Sequence, residues 1–305
     1  MSLHDAMDTI VRMAQRGGPR KNDYELFSAT CAVFGASKAA GHISDDEHRT
    51  FMRSLGPAGT RESLMGHIFH KPYGYAGDFE IIDKLYTRYR SPHPMVTRWD
   101  EFVQSVPASC SVRNRGPYLA KVLTNSLAMH SATGRPFHLV SLGSGPGRDI
   151  EHALATIGCG HSTHVRVTCV DTEARALAHS ARVLADYSGL VRHVKGDVLR
   201  FTPHDRADLI WAAGLFDYFS DRAFSTVFKR LLRALAPGGQ LVIGNFSERC
   251  AHHGPMSLGD WHLVCRSRAA LEALARDAGV PDERLRVDAE PVGLNLLLHI
   301  QGPCE

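Results

Sequence analysis

Short apolar runs alternate with longer amphipathic stretches from Pro136 onwards, which predicts strands and helices in turn. Strands are predicted at 137–142, 165–170, 190–194, 207–212, 240–245, 284–289 and 294–300. Helices are predicted at 148–157, 173–187, 221–235 and 268–279, with a loop at 247–265. The segment 290–293 is short enough for an antiparallel hairpin between the last two strands. We therefore expect an α/β fold with a seven-stranded sheet that is mostly parallel, with one antiparallel strand.

Residues 1 to about 135 have the apolar spacing and the breaks typical of helices. Ser44 followed by Glu47 matches the capping box of a helix start. Other helices are predicted at 61–69, after the loop 70–78 through residue 86, and from about 110 to 129. We expect an N-terminal helical cap or lid region at 1–135 and a Rossmann-like ligand-binding domain at 136–305. The cap is expected to pack over the carboxyl ends of the strands, where ligands bind in such sheets.

A glycine-rich turn containing Gly143, Gly145 and Gly147 joins the first predicted strand to a helix. Glycine has no Cβ, so the backbone of such a turn can approach a ligand closely. Asp171 ends the next predicted strand, where an acid can accept hydrogen bonds from both ribose hydroxyls. Asp171 also fits the cap of the helix that follows it. The turn and the acid together predict a nucleoside held by these four residues.

The glycine spacing favours a cationic nucleoside over a dinucleotide. Dinucleotide sites use G-x-G-x-x-G with a pyrophosphate at the helix N-terminus, whereas this turn is G-x-G-x-G followed by Asp149. A carboxylate there repels phosphate but tolerates the sulfonium and ammonium groups of S-adenosylmethionine. Asp197 follows the third predicted strand and is expected to accept the adenine amino hydrogens, although a plain turn explains it too. S-adenosyl-L-methionine is therefore the predicted cofactor.

The fourth predicted strand leads into the apolar segment 211–219, which we expect to border the methionine moiety and the substrate. Aromatic rings there can exclude water and make cation–π contacts with a sulfonium. Phe216 and Phe219 fit core packing equally well, so Tyr218 is the better candidate for a catalytic position. Arg113 and Arg115 lie on the last N-terminal helix, and one of them is expected to clamp a carboxylate. We assign Arg113 to the cofactor and Arg115 to the substrate, although the sequence leaves that choice open.

The loop from His70 to Asp78 is rich in tyrosine and glycine. That composition suits a lid that closes on a ligand, and the alternative is a structured turn that buries its two tyrosines. Tyr75 and Asp78 are candidate catalytic residues, and Tyr73 is a candidate substrate-binding residue.

Two histidine groups, His67 with His70 and His252 with His253, raise the question of a metal. Adjacent loop histidines do not aim naturally at one ion, and the acid–histidine helix motif of metalloenzymes is missing. We predict no metal site.

Composition bounds the remaining possibilities. The net charge of +3 is too small to indicate nucleic-acid binding. No apolar run approaches the length of a membrane span, and the first residues lack the pattern of a secretion signal. The seven cysteines include no C-x-x-C pair, which is typical of reduced thiols. We expect a cytoplasmic protein with a small-molecule substrate and no nucleic-acid or membrane partner, and we leave the oligomeric state open.

Several segments together resemble a known family, the bacterial 3-hydroxypalmitic acid methyl ester synthases, a branch of the class I S-adenosylmethionine-dependent methyltransferases. The resemblance spans roughly 70–300 and rests on 71–80 (KPYGYAGDFE), 113–115 (RNR), 141–149 (SLGSGPGRD), 244–246 (GNF) and 260–263 (DWHL) with Arg266. It implies a helical cap, S-adenosylmethionine as methyl source, and a small carboxylic acid or acyl derivative as acceptor. It also implies that Asn245 and Trp261 contribute to substrate binding. Ser141 departs from the acid that many methyltransferases carry ahead of the first glycine.

The predicted reaction is an in-line displacement at the sulfonium methyl, in which the protein aligns donor and acceptor and excludes water. A carboxylate acceptor is already ionised at neutral pH and needs no base. A hydroxyl acceptor needs one, and Tyr75, Asp78 or His253 are candidates.

Two other functions fit the same sequence. A closed, dry pocket can let the amino group of S-adenosylmethionine attack its own γ-carbon, which gives azetidine-2-carboxylate and methylthioadenosine without a second substrate. A non-catalytic nucleoside sensor is the other alternative. The nucleoside product separates transfer from cyclisation, and tight binding without turnover indicates the sensor.

Overall fold

The computed structural model describes residues 1–130, 134–162, 164–250 and 254–303, without the side chains of 159–162. The chain divides into two compact units, Met1–Cys110 with Arg249–His262, and Ser111–Glu248 with Leu263–Glu305. The division into a cap at 1–135 and a ligand-binding domain at 136–305 stays a prediction.

A seven-stranded sheet forms the second unit. Its strands are β1 Phe137–Leu142, β2 Val165–Asp171, β3 Val191–Lys195, β4 Ala207–Ala212, β5 Leu235–Phe246, β6 Leu285–Ala289 and β7 Asn295–Gln301. They lie in the order β3-β2-β1-β4-β5-β7-β6. β7 runs antiparallel to both of its neighbours, and the other pairs are parallel. The predicted fold class is therefore confirmed, including the terminal hairpin.

The α-helices along the described chain are α1 Leu3–Gln15, α2 Tyr24–Ala39, α3 Asp45–Ser54, α4 Leu64–His70, α5 Phe79–Tyr86, α6 Thr97–Ser105, α7 Pro107–His130, α8 Arg148–Ser162, α9 Ala174–Val183, α10 Asp221–Arg233, α11 Gly254–Leu258 and α12 Arg268–Asp277. The predicted capping box at the start of α3 is confirmed, because Ser44 and Glu47 exchange both of its hydrogen bonds. The prediction of a continuous loop at 247–265 was wrong, since α11 lies within it.

Two further differences have local causes. β5 begins at Leu235, earlier than predicted, because Leu235 pairs with Ala207 before 236–239 depart from the ladder and pairing resumes at Gln240. α8 extends beyond the predicted end but breaks at Gly158, whose positive φ of 69° is not helical.

The sheet buries both faces, as expected of a mainly parallel sheet. Along β1, Leu139 joins the cluster that includes Leu119 and Leu123 of α7, whereas Val140 joins the cluster that includes Phe224 of α10. Successive strand residues point to opposite faces, so this alternation places α7 and α10 on different sides of the sheet.

Aromatic side chains dominate the interior of the first unit. Phe27 of α2 makes edge-to-face contacts with Trp99 and Phe102 of α6, with ring centroids 5.1 and 4.7 Å apart. All three rings are buried. Such pairs stabilise a core beyond the area that they bury.

Within the described residues, no helix has both the length and the apolar character needed to cross a membrane.

Candidate functional site

The glycine-rich turn between β1 and α8 has the backbone conformation that its composition predicts. Gly143, Gly145 and Gly147 have φ values of 59°, 50° and 77°, a region that favours glycine. A Cβ at Gly147 would lie 2.5 Å from the Ser180 hydroxyl, so this glycine lets the turn pack against α9. Apart from Gly145 and its two chain neighbours, no atom of the described residues lies within 4 Å of where a Cβ would stand on Gly145. The backbone there is open to a ligand.

Asp171 lies directly beside this turn. Its Oδ2 accepts a hydrogen bond from the Gly145 amide at 2.9 Å, and its Oδ1 accepts from the Glu173 amide at 2.9 Å. Glu173, not Asp171, is the N-cap of α9, so the alternative explanation of Asp171 as a cap does not hold. The residue is buried, and burial raises the pKa of its carboxyl while these amide bonds oppose the rise. Its predicted ribose-binding role is untested by these contacts.

Asp197 follows β3, the strand next to β2. The residue is exposed, and its carboxylate accepts a hydrogen bond from the Leu199 amide at 2.9 Å. The backbone carbonyl of Asp197 also accepts hydrogen bonds from the amides of Arg200 and Phe201, so Asp197 starts a closed turn. The Gly196 amide donates to the Asp171 carbonyl at 3.0 Å, so the two acids follow adjacent strand ends. The predicted adenine contact stays a prediction.

Asp149, in the first turn of α8, faces the interior of its unit. Its Oδ2 accepts a hydrogen bond from the Trp211 indole at 2.6 Å, and its Oδ1 accepts from the Ile150 amide. Burial raises the pKa of its carboxyl, and the indole bond and the positive charge of Arg115 oppose that rise.

Arg115 is the most unusual charged group of the second unit. Only 8% of the residue is exposed, and its guanidinium carbon lies 5.5 Å from the centre of the Phe246 ring. A Cβ on Gly214 would come within 2.7 Å of Nη1, so the absence of a side chain there makes room for the guanidinium. Its Nε has no hydrogen-bond partner in the described chain. A buried guanidinium in this state is suited to an anionic ligand.

Asp217 lies just beyond β4, and burial raises its pKa to about 6. The charges of Arg115 and Arg266 and the hydrogen bond from the Phe246 amide, 2.5 Å long, oppose that rise. The positive charge of Arg115 therefore acts on two acids, the half-buried Asp149 and the buried Asp217. Arg113, the other candidate arginine on the same helix, is only half-buried.

Arg266 supports the segment after β4. Its guanidinium donates to the carbonyls of Phe216 and Phe219, to Asp221 and to the Asn245 side chain. The Asn245 amide nitrogen donates in turn to the carbonyls of Phe246 and Val264. Asn245 is therefore fully buried and engaged on both amide atoms.

Tyr218 is 39% exposed, whereas Phe216 of the same segment is buried in the core. This difference agrees with the assignment of the phenylalanine to packing, while the catalytic role of Tyr218 stays a prediction.

In the first unit, Asp78 organises the tyrosine-rich loop. Its Oδ1 accepts from the amides of Glu80 and Ile81 as the N-cap of α5, and both oxygens lie within 3.1 Å of His67 Nε2. Asp78 is fully buried. The Tyr73 hydroxyl donates to Glu80 at 2.9 Å, and Tyr75 is half-buried. The loop thus has defined anchors at its end, and its predicted function as a lid stays a prediction.

The segment that carries Trp261 is fixed within the first unit through Asp260. Its carboxylate pairs with Lys71 at 2.6 Å, Lys38 at 3.2 Å and His262 at 2.8 Å. These partners hold the pKa of the Asp260 carboxyl well below its usual range despite burial. Trp261 itself is half-buried, and its amide donates to the Met256 carbonyl. His253 and its neighbour His252 lie outside the described residues.

No group of three or more potential metal ligands occurs in the part of the chain that the structure describes. His67 pairs with Asp78, and His70 contacts the Gly59 carbonyl through Nε2 at 2.9 Å.

Sequence reasoning missed Asp217, Ser111 and Asn295. An acid within the apolar run after the fourth strand was an available signal for Asp217. The sequence gives no indication of Ser111 or Asn295, because they stand out only through buried side-chain atoms that lack hydrogen-bond partners in the described chain.

Comparison with known proteins finds a match for the central part of the chain. Residues 139–239 match the family model of a methyltransferase domain. A trans-aconitate 2-methyltransferase from Rhizobium meliloti (strain 1021) is 31% identical over 102 residues, which cover 33% of this chain and 35% of that protein. The match thus spans about a third of that curated relative.

Solved structures agree with the fold. A possible exported protein from Bordetella parapertussis aligns over 100% of this chain and 98% of its own, with a TM-score of 0.61 and 18% identity. The S-adenosylmethionine-dependent methyltransferase SibL in its apo form aligns over 88% of this chain and 77% of its own, with a TM-score of 0.50 and 17% identity. At such identities these likenesses bear on the fold alone.

The specific resemblance to 3-hydroxypalmitic acid methyl ester synthases and the cytoplasmic location stay predictions. The matched domain indicates S-adenosylmethionine as the cofactor, as the glycine turn and Asp171 predicted. The sheet-forming part of this chain is therefore similar to a methyltransferase domain over residues 139–239.

Proposed function

We propose that this protein transfers the methyl group of S-adenosylmethionine to a small carboxylic acid or hydroxy-acyl acceptor, giving a methyl ester or ether. The observation that carries the proposal is the 2.9 Å hydrogen bond from the Gly145 amide to Asp171 Oδ2. This bond places the open backbone at Gly145 beside an acid at the end of the neighbouring strand, and an acid in that position can accept hydrogen bonds from ribose hydroxyls.

The residues of the second unit fit this cofactor. Gly143 is exposed and Gly145 has open space on its Cα, so the turn accommodates a ligand against its backbone. Asp171 would hold the ribose, and Asp197 the adenine. When bound, S-adenosylmethionine supplies an electrophilic methyl group whose bond to sulfur breaks as the bond to an acceptor oxygen forms, leaving S-adenosylhomocysteine.

Arg115 supports an acidic acceptor. A buried guanidinium with an unused N–H binds a carboxylate strongly, since water does not compete there. Its charge also balances the two nearby acids, Asp149 and Asp217. An ionised carboxylate attacks without a base, so the main task of these side chains is alignment.

The first-unit residues take supporting roles in this proposal. Asp78 has both oxygens engaged by His67 and the start of α5, so we assign it to positioning the loop rather than to proton transfer. Tyr73, Tyr75 and Trp261 stay candidate residues for contact with the acceptor. Tyr75 stays a candidate base for a hydroxyl acceptor, and Tyr218 stays a candidate catalytic residue.

The test is the identity of the nucleoside product. Purified protein is incubated with S-adenosylmethionine, with and without a panel of carboxylic and hydroxy acids, and the nucleosides are identified by mass spectrometry. We expect S-adenosylhomocysteine that depends on an added acid. Methylthioadenosine formed without an acceptor would establish cyclisation, and the absence of any heat of donor binding would end the proposal.

Matched arginine variants refine the test. Arg115→Met should raise KM for the acid at least about tenfold, because a carboxylate then lacks its partner. Arg113→Met on the same helix is the comparison. A larger effect on the donor than on the acid in Arg115→Met would assign this guanidinium to the cofactor.

A further inference from the structure

Asn295, the first residue of β7, is a fully buried amide without a hydrogen-bond partner. Its exposure is 0%, and neither Nδ2 nor Oδ1 has a partner in the described chain. Asn245 on the adjacent strand is equally buried, yet both of its amide atoms are engaged. Buried amides are nearly always hydrogen-bonded in proteins, because burial without a partner costs folding free energy. A bound group is the simplest way to satisfy Asn295.

Other buried polar atoms without partners lie on the same side of the sheet. Asn295 shares its face with Leu297, which clusters with apolar residues of α7. It is paired across the strands with Phe246, and the Arg115 guanidinium lies over the Phe246 ring. Ser111 is one helical turn before Arg115 on α7, and its Oγ also lacks a partner, as does Arg115 Nε.

Asn295 lies too far along the sheet from Asp171 to serve the cofactor. Asn295 is on β7, four strand positions from Asp171 on β2, which is ~19 Å at the usual strand spacing. The methionyl arm of S-adenosylmethionine extends about seven bonds from its ribose, or roughly 9 Å. With the ribose at Asp171, the arm ends well short of Asn295.

We propose that Ser111, Arg115 and Asn295 form the recognition subsite for the methyl acceptor. The inference rests on the proposed function and deepens it by naming the acceptor chemistry. Arg115 takes an anionic carboxylate. Asn295 takes an uncharged group that offers a donor and an acceptor side by side, for which a carboxamide is the closest match, because two planar amides pair edge to edge. The Ser111 hydroxyl supplies a further polar contact.

The first test needs no ligand. Asn295→Leu replaces the two unsatisfied polar atoms by methyl groups with the same branching, so it should raise the thermal midpoint of the free protein by roughly 2–4 °C. Asn245→Leu is the matched control, and it should lower the midpoint because Arg266 and two carbonyls lose their partner. A midpoint for Asn295→Leu that falls as far as that of the control overturns the inference.

The second test uses two probes of equal size. Succinamate carries a carboxylate and a carboxamide, whereas 4-oxopentanoate has a methyl group in place of the NH2. Calorimetric titration of the protein saturated with S-adenosylhomocysteine should show a preference for succinamate of roughly tenfold or more. Asn295→Leu should remove the preference, and Arg115→Met should weaken both probes.

The outcomes separate the two proposals. Equal affinities in the unmodified protein, no binding of either probe, or a preference that survives in Asn295→Leu would each refute the subsite. Failure of S-adenosylhomocysteine to bind would refute the proposed function. The thermal midpoints of the two asparagine variants would then still decide whether the Asn295 side chain is unsatisfied in the free protein.

Discussion

Replacing Asp171 by asparagine is the sharpest test of the cofactor site. The change keeps the size of the side chain but removes its charge and turns one acceptor oxygen into a donor. In the structure, Oδ2 accepts from the Gly145 amide and Oδ1 from the Glu173 amide, each at 2.9 Å. An asparagine can retain only one of these bonds, because its NH2 group then faces an N–H group.

The expected effect on binding is large. A hydrogen bond to a charged acceptor contributes about 1.5–3 kcal/mol, and a ribose offers two hydroxyls. A net loss of about 3 kcal/mol corresponds to a rise of roughly 100-fold in the dissociation constant of the cofactor.

The expected effect on stability is small. The variant loses one amide bond but also loses a buried charge, whose cost is evident in the raised pKa of the carboxyl. We expect these two changes to offset each other to within about 1 kcal/mol. The free energy of unfolding and the affinity should therefore respond differently.

The measurements are calorimetric titration with S-adenosylmethionine and urea unfolding of the free protein. Glu173→Ala is the control, since it removes the N-cap of α9 and an exposed ion pair with Arg175 without touching the predicted ribose contact. It should reduce stability and leave affinity nearly unchanged. If folded Asp171→Asn binds the cofactor as tightly as the unmodified protein, the ribose assignment is wrong.

Binding should also depend on pH. Ribose hydroxyls bond best to the ionised form of Asp171, whose pKa is raised in the free protein. Affinity should therefore increase as the pH rises through that pKa, and this dependence should disappear in Asp171→Asn.

Three further predictions concern stability and its dependence on pH. Gly147→Ala should unfold at a lower urea concentration than Gly145→Ala. Both glycines have a positive φ, but only a Cβ at position 147 would collide with the Ser180 hydroxyl. Equal losses of unfolding free energy in the two variants would contradict the close packing at Gly147. The pKa of Asp217 rises to about 6 on folding, so the stabilisation by its protonated form is full below about pH 4 and is lost as the pH rises through 6. The stability of Asp217→Asn relative to the unmodified protein should therefore be up to about 3 kcal/mol more favourable above pH 6 than below pH 4, as measured by urea unfolding at both pH values. Asp260 has a lowered pKa, so its contribution is present above about pH 4 and lost on acidification; Asp260→Asn should flatten the acid side of the unfolding profile, and an unchanged profile would show that the lysine pairs are inert.

Much of the sheet was predictable because its signals are local. The apolar run of β1 followed by Gly143, Gly145 and Gly147 marks a strand, a tight turn and a helix within a few residues. The start of β5 was less predictable, since the pairing of Leu235 with Ala207 depends on a neighbouring strand and not on the sequence around Pro237.

The candidate site divides in the same way. Gly145 and Asp171 were chosen from spacing, and the structure joins them through one hydrogen bond. The loop acid Asp78 was chosen from composition, but its contacts with His67 and α5 were not foreseeable from that loop alone.

Apart from the short helix α11, the sequence by itself determined the order of the strands and α-helices after residue 136 and the position of the glycine turn, because strand periodicity and backbone freedom act over a few neighbouring residues. Only the tertiary structure decided which buried polar groups find partners. Asn245 and Asn295 are the same residue type on adjacent strands, yet Arg266 satisfies the first and no described residue satisfies the second. That difference depends on side chains brought together from distant parts of the chain, and a hydrogen bond requires them to meet within about 3 Å.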